Sequence, residues 1–441
     1  MSNTHREHAI VLGGSVCGLL VARVLAEHYR RVLVVERDRL PAGIQQRRAV
    51  PQGHHVHGLL PRGLAVAEGL LPGLTDQLVA DGARLGDLVG NVRWYLGGRR
   101  LPRSPAGLPT VVGSRPLIEH GIRARVRALP SVTLLDGHDI VGLAATPDRA
   151  RITGVQVSNV YSNQAWTIPA DLVVDATGRG SRAPRWLTEL GYQAPPRDEM
   201  HMEVAYASRI FAAPPGILGT DLVAVTTRLP GQRRSSVLSL LEGERLLVSL
   251  AGVRGERPPL ELDAFTGYAK SLAAPDTYEV IRASRPLSAP VAFRLPTYLR
   301  HRYERLPASP AGLLVAGDAA CNFNPVFAQG MSVAALGAMA VDEQLRHGGE
   351  PEPARYFRAL AAILDAPWGI GVRGDLTAPG AVAPALPPSP LTGEYMHRLQ
   401  SAAAQDEVLA RSLVRVLALV DPPEALVRPE ILARVPEPAQ L

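Results

Sequence analysis

Apolar residues come in two arrangements along this chain. The first is a set of short unbroken runs: Ala9–Leu12, Val32–Val35, Leu172–Val174 and Leu313–Ala316. Such runs, bounded by glycine and polar residues, read as strands buried on both faces. The second is alternation, in NVRWYLGG (91–98), MHMEVAYASRIF (200–211), TDLVAVTTRLP (220–230) and SSVLSLLEGERLLVSLAGV (235–253). A period of two argues for half-buried strands, with LEGER (241–245) as a hairpin turn. DEVLARSLVRVLALV (406–420) reads as an amphipathic helix with an apolar face; its apolar residues are Val408, Leu409, Leu413, Val416, Leu417 and Val420. That face could meet a membrane, but packing on the rest of the protein is the expectation.

The segment HAIVLGGSVCGLLVARVLAEHYRRVLVVERD, residues 8–38, predicts strand, tight turn, helix and second parallel strand. Gly13, Gly14 and Gly18 punctuate the turn. A turn of this kind lets the backbone approach a pyrophosphate, which the helix N-terminus attracts through its free N–H groups and dipole. Gly13 and Gly18 occupy the first and third positions of the dinucleotide fingerprint, and Ser15 replaces the second glycine. Glu36 lies 18 residues past Gly18, near the spacing of a ribose 2′-hydroxyl acceptor. An acid there favours NAD or FAD over NADP. Cys17 reads as a small packing residue.

Two further apolar runs end in an acid followed by small residues. ADLVVDATGRGSR (170–182) carries Asp175 and Gly178, and GLLVAGDAACNFNP (312–325) carries Gly317 and Asp318. Ligands of open α/β sheets sit beyond the carboxyl ends of the strands, so all three loops should meet at one crevice.

Composition narrows the surroundings. The chain has 441 residues and a net charge of +6, with its arginines scattered rather than striped. No nucleic-acid footprint is expected. Two distant cysteines suggest neither a disulfide framework nor a zinc site. MSNTHREHAIVLGG lacks the apolar core of a signal segment, and no apolar run reaches the roughly 18 residues of a membrane span. A cytoplasmic protein without stable membrane insertion is the expectation. His54, His55 and His57 lie close together but without acid or cysteine partners nearby, so no metal is expected.

With the three strand-tip motifs in place, the chain resembles the flavoprotein monooxygenases of the para-hydroxybenzoate hydroxylase-like fold. Within them it is most similar to the bacterial epoxidases and hydroxylases of polyketide and polyether tailoring, related to squalene epoxidases. The likeness extends to RRAVPQGHHVHGLLPRG (47–63), PWGIGVRGDLTAPG (367–380) and DPPEALVRPEILARV (421–435), and so runs nearly end to end. It implies FAD as cofactor, held by Gly13, Ser15, Gly18, Glu36, Arg37, Arg48, Arg123, Ile140, Asp175, Asp318, Gly330 and Met331. By this resemblance Glu36 takes the ribose, Arg37 and Arg123 the adenosine side, and Ile140 the adenine. Asp318 accepts from the ribityl chain, and Gly330–Met331 open a helix whose N–H groups face the flavin N1–C2=O edge. Arg48 and Pro325 position the flavin, and His57 packs or lies beside it.

The fold class implied is α/β: a Rossmann-like FAD-binding domain, an inserted β-sheet substrate domain and a C-terminal helical region. The FAD-binding domain takes 1–75, 104–185 and 285–370, the substrate domain 76–103 and 186–284, and the helical region 371–441, which VAPALPPSP (382–390) links to the rest. The implied reaction is insertion of one oxygen atom from O2 into a small apolar natural-product intermediate, as in antibiotic biosynthesis, by epoxidation or hydroxylation through a flavin C4a-(hydro)peroxide. No second nucleotide fingerprint is present, so electrons come from transient NAD(P)H or an external flavin reductase. Flavin halogenases of this fold carry Trp-x-Trp-x-Ile-Pro and a lysine between flavin and substrate; this chain lacks that string and has only Lys270. Two alternatives stay open: an FAD-dependent alkene reductase of the geranylgeranyl reductase type, and a flavoprotein using FAD as scaffold for a non-redox cyclisation.

Overall fold

The short apolar runs become a parallel five-stranded sheet, ordered Leu313–Val315, Leu172–Asp175, Arg6–Leu12, Tyr29–Val35 and Val132–Leu135. Ala9–Leu12 are fully buried because both sheet faces are covered. On one face the helix Val16–Leu25 packs between Gly330–Arg346 and Arg115–Arg127. On the other lies an antiparallel sheet of His138–Ala145, Ile152–Asn159 and Ala165–Pro169. The computed structural model describes residues 6–346, 349–382, 384 and 386–437. Residues 1–5 of the segment expected to lack a signal core and 438–441 of the helical region lie outside these, as do Ala383 and Ala385 of the Pro-rich link.

The alternating segments form a seven-stranded sheet, ordered Val291–His301, Arg197–Ala212, Arg245–Gly252, Arg234–Leu241, Val223–Thr226, Val92–Leu96 and Arg99–Arg100. The turn at LEGER closes the pair Leu241↔Arg245, with Gly243 at φ +69° and Glu244 at φ +53°. Strand Val291–His301 lies within the 285–370 stretch expected to bind FAD, yet it pairs with Arg197–Ala212. The reach of that sheet therefore passes residue 284.

The helix Pro353–Asp375 runs through Pro367, so a boundary after residue 370 falls inside an element. A proline inside a helix removes one hydrogen bond, and the sequence invites a break there. Tertiary packing prevails: Leu364, Trp368 and Val372 are all buried along one face. Beyond it, helices Gly393–Ala403 and Glu407–Leu417 form a separate apolar cluster with Leu88, Val92 and Leu96. Leu409, Leu413 and Val416 face that cluster, so the amphipathic helix lays its apolar side on the protein. Among the described residues, no helix is long and apolar enough to cross a membrane.

Candidate functional site

The first turn explains its glycines by space. Gly13 sits at φ +99°, where a Cβ would stand 2.6 Å from the Ala176 carbonyl oxygen. A Cβ on Gly18 would stand 1.8 Å from the Gly13 oxygen. Neither position takes a side chain. Ser15, in contrast, has an extended backbone (φ −98°, ψ −173°) open to any residue. Its hydroxyl points away from the turn and donates to Glu119 Oε2 at 2.7 Å. The serine at the second fingerprint position thus costs no strain. Cys17 packs behind Gly317, whose Cβ would meet the sulfur at 2.7 Å, and burial pushes its thiol up to about 12. That contact fits a packing residue, and a raised thiol pKa disfavours the thiolate.

Behind the turn lies a buried charge cluster. Arg47 meets Glu36 at 2.7 Å and Glu119 at 2.6 Å, and donates to the Gly14 carbonyl at 3.1 Å. Gly14 N–H donates to Glu36 Oε2 at 2.8 Å, and Asp38 N–H to Oε1 at 2.9 Å. A carboxylate offers about four acceptor sites, so Glu36 keeps capacity for a ribose hydroxyl. Burial works against the charge on Glu119, yet Arg115, Arg47 and the Ser15 hydroxyl hold its carboxyl below the ordinary range. Arg47, not Arg48, is the arginine at this site: Arg48 is exposed and does not line the cavity. Nothing in Gln46-Arg47-Arg48 distinguishes the two. Glu119 was legible, since Arg115, Glu119 and Arg123 recur at four-residue spacing on one helix face.

All three strand tips open into one cavity of about 2230 Å³. Ordinary small-molecule sites span roughly 300–1,000 Å³, so this one has room for a dinucleotide and a second ligand. Gly13, Ser15, Glu36, Arg37, Ile140, Asp318, Pro325, Gly330 and Met331 line it together. Arg37 sits exposed at the rim, and Ile140 is buried in the wall.

Besides Arg48, three expected contacts do not line the cavity. Gly18 supports the turn from behind. Arg123 is buried, with its guanidinium on the Pro41 carbonyl at 3.2 Å and on Glu119 at 3.4 Å. Asp175 is fully buried and accepts from Thr177 N–H (2.9 Å), the Thr177 hydroxyl (2.6 Å) and the Ser181 hydroxyl (2.6 Å). Both of these hold protein rather than ligand.

Asp318 differs from Glu36, Glu119 and Asp175. It follows Gly317 (φ +62°) at the strand tip, faces the cavity, and accepts no hydrogen bond from the described residues. Burial pushes its carboxyl up, while Arg115 and Arg179 draw it down. An orphan acceptor at this position fits a polyhydroxyl chain, and with the two side-chain-free glycines it meets the demands of FAD.

The far loop is braced by Asp375. This fully buried carboxylate accepts from Asn324 Nδ2 (3.0 and 2.8 Å), Tyr298 Oη (2.9 Å) and Arg228 Nη2 (3.2 Å). Burial pushes its pKa above the ordinary range, and Arg228, Asn324 and Tyr298 offset part of that rise. Asn324 Oδ1 in turn accepts from Val326 N–H at 3.1 Å, fixing the Pro325 turn ahead of helix Gly330–Arg346. Asp375 was missed in the sequence, although it lies in the 367–380 motif.

The histidines act singly. His55 Nδ1 is 2.7 Å from the Ser208 hydroxyl, and burial lowers the ring's pKa to about 4. His57 lines the cavity, lowered to about 3 by burial and by Arg115. On the outer face, Glu27, His28 and Asp342 gather ligand atoms within 4.8 Å, where Asp342 is already paired with His28 and Arg346. Lys270 ends helix Leu262–Lys270 and does not line the cavity.

No protein-family model matches the chain. Solved structures similar to it include pqsL, a probable FAD-dependent monooxygenase from Pseudomonas aeruginosa, at 17% identity and TM-score 0.62 over 91% of this chain and 98% of that one. The flavin-dependent brominase Bmp2 matches at 13% identity and TM-score 0.63, covering 93% of each chain. Tetrameric 2-methyl-3-hydroxypyridine-5-carboxylic acid oxygenase matches at 19% identity and TM-score 0.60, over 95% and 98%. These likenesses show the fold. Protein Rv3254 of Mycobacterium tuberculosis is 31% identical over 438 residues, 94% of this chain and 90% of its own length. The chain therefore belongs to the family of protein Rv3254, built on the fold of the FAD-dependent monooxygenases.

Proposed function

We propose that the protein is an FAD-dependent monooxygenase acting on a mostly apolar small molecule, an epoxidase or hydroxylase of natural-product chemistry working in the cytoplasm. The observation that carries this reading is the Asp318 carboxylate, without a donor among the described residues, at a strand tip facing a cavity with space for two ligands. When bound, FAD supplies two-electron transfer from a reductant and reaction with O2, one oxygen atom going to the substrate and the other to water.

The chain's residues supply binding and surroundings. The turn at Gly13–Gly18 and the N-terminus of Val16–Leu25 would take the pyrophosphate, Glu36 a ribose hydroxyl, and Asp318 the ribityl chain. The N-terminus of Gly330–Arg346, reaching the cavity at Gly330 and Met331, favours negative charge on the ring edge beside it. The seven-stranded sheet and the C-terminal helices contribute Val225, Val237, Leu413 and Leu417 to the walls and so exclude water. His55 and His57, neutral at pH 7, add no charge.

Turnover under air and under nitrogen separates this reading from its nearest rival. A monooxygenase consumes one O2 per product and stops without it. Product formed anaerobically would indicate an alkene reductase instead.

A further inference from the structure

The cavity has two chemically different parts. One is apolar, between Trp94 and Val225 of the seven-stranded sheet and Met396, Leu413 and Leu417 of the C-terminal helices. The other holds Arg228, just past strand Val223–Thr226 and beside the Asn324–Pro325 loop. Only Nη2 of Arg228 is bonded, to the Gly374 carbonyl (3.4 Å) and Asp375 (3.2 Å); its Nε and Nη1 have no partner among the described residues. Asn324 Nδ2 and Arg228 can only donate to Asp375, which fits an ionised carboxylate. The pair then carries no net charge. A ligand anion would add a charge that the neutral pair does not compensate, whereas a neutral carbonyl oxygen accepts the free N–H groups without that penalty.

Resting on the flavin reading of this cavity, we propose that the substrate is an elongated molecule with a neutral carbonyl oxygen held by Arg228. Its apolar chain lies against the C-terminal helices. Arg228 is the head-group residue, Asp375 positions it, and Leu417 helps to set chain length.

Calorimetric titration of the purified protein with 2-undecanone, 2-heptanone and undecanoate tests this, with flavin absorbance read on the same sample. 2-Undecanone should bind roughly tenfold or more tighter than 2-heptanone, since each buried methylene adds to affinity. It should also bind roughly tenfold tighter than undecanoate. Arg228→Met should weaken the long ketone roughly tenfold with flavin retained. Leu417→Phe should weaken 2-undecanone and leave 2-heptanone unchanged, a check that survives if the arginine variant does not fold. Equal binding of the two ketones, tighter binding of the carboxylate, or no ketone binding by yellow protein would overturn the proposal. Colourless protein that keeps the ketone preference would support it and remove the flavin reading alone.

Discussion

Asp318 and His55 show at single residues how burial acts in opposite senses. Asp318 is a carboxylate with no donor among the described residues, so ligand hydroxyls are its natural partners. We predict that Asp318→Ala weakens FAD binding by about 2 kcal/mol, roughly 30-fold. Flavin fluorescence titration of the apoprotein measures this, and unchanged affinity would refute the assignment. For His55 the folded pKa of about 4 lies below the ordinary 6.5. Below pH 6.5 the unfolded chain takes up a proton that the folded ring refuses. The contribution is therefore complete above 6.5 and is lost as pH falls toward 4. At pH 5 the loss from this residue is about 2 kcal/mol. His55→Gln should accordingly narrow the stability gap between pH 7 and pH 5 by that amount in urea unfolding. A gap as wide as the wild type's would contradict it. The arginine pair at 47–48 marks the limit of sequence reading at this scale: which of two neighbours turns inward is decided by Glu36 and Glu119, residues brought there by other elements.

The strand–turn–helix at residues 6–25 was readable from sequence because its constraints are local. A run buried on both faces, two glycines with no space for a Cβ and an acid at the next strand's end lie within 31 residues of chain. The helix Pro353–Asp375 was not readable, because the packing that carries it through Pro367 comes from residues far away in sequence. Asp375 was hidden for the same reason: its partners Arg228, Tyr298 and Asn324 come from three separate segments. We expect Asp375→Ala to lower unfolding free energy by about 3 kcal/mol, since it strands a part-buried guanidinium and two buried polar groups. Chemical denaturation gives the value; a loss below about 1 kcal/mol would mean that the network contributes little.

For the whole molecule, the two apolar patterns sorted the chain into its two main sheets, while the contribution of Val291–His301 to the larger one was concealed by its position between flavin-side motifs. The C-terminal helices were visible as helices but not as a cavity wall, because amphipathicity says that a face is covered and not by what. The parts converge on one proposal: the parallel strand tips would hold an adenine-bearing flavin along the cavity floor. The most direct test is to denature the purified protein and identify the released chromophore by chromatography and mass. One FAD per chain is the predicted result. Protein that is colourless as isolated, and that takes up no FAD when it is supplied, would contradict the account.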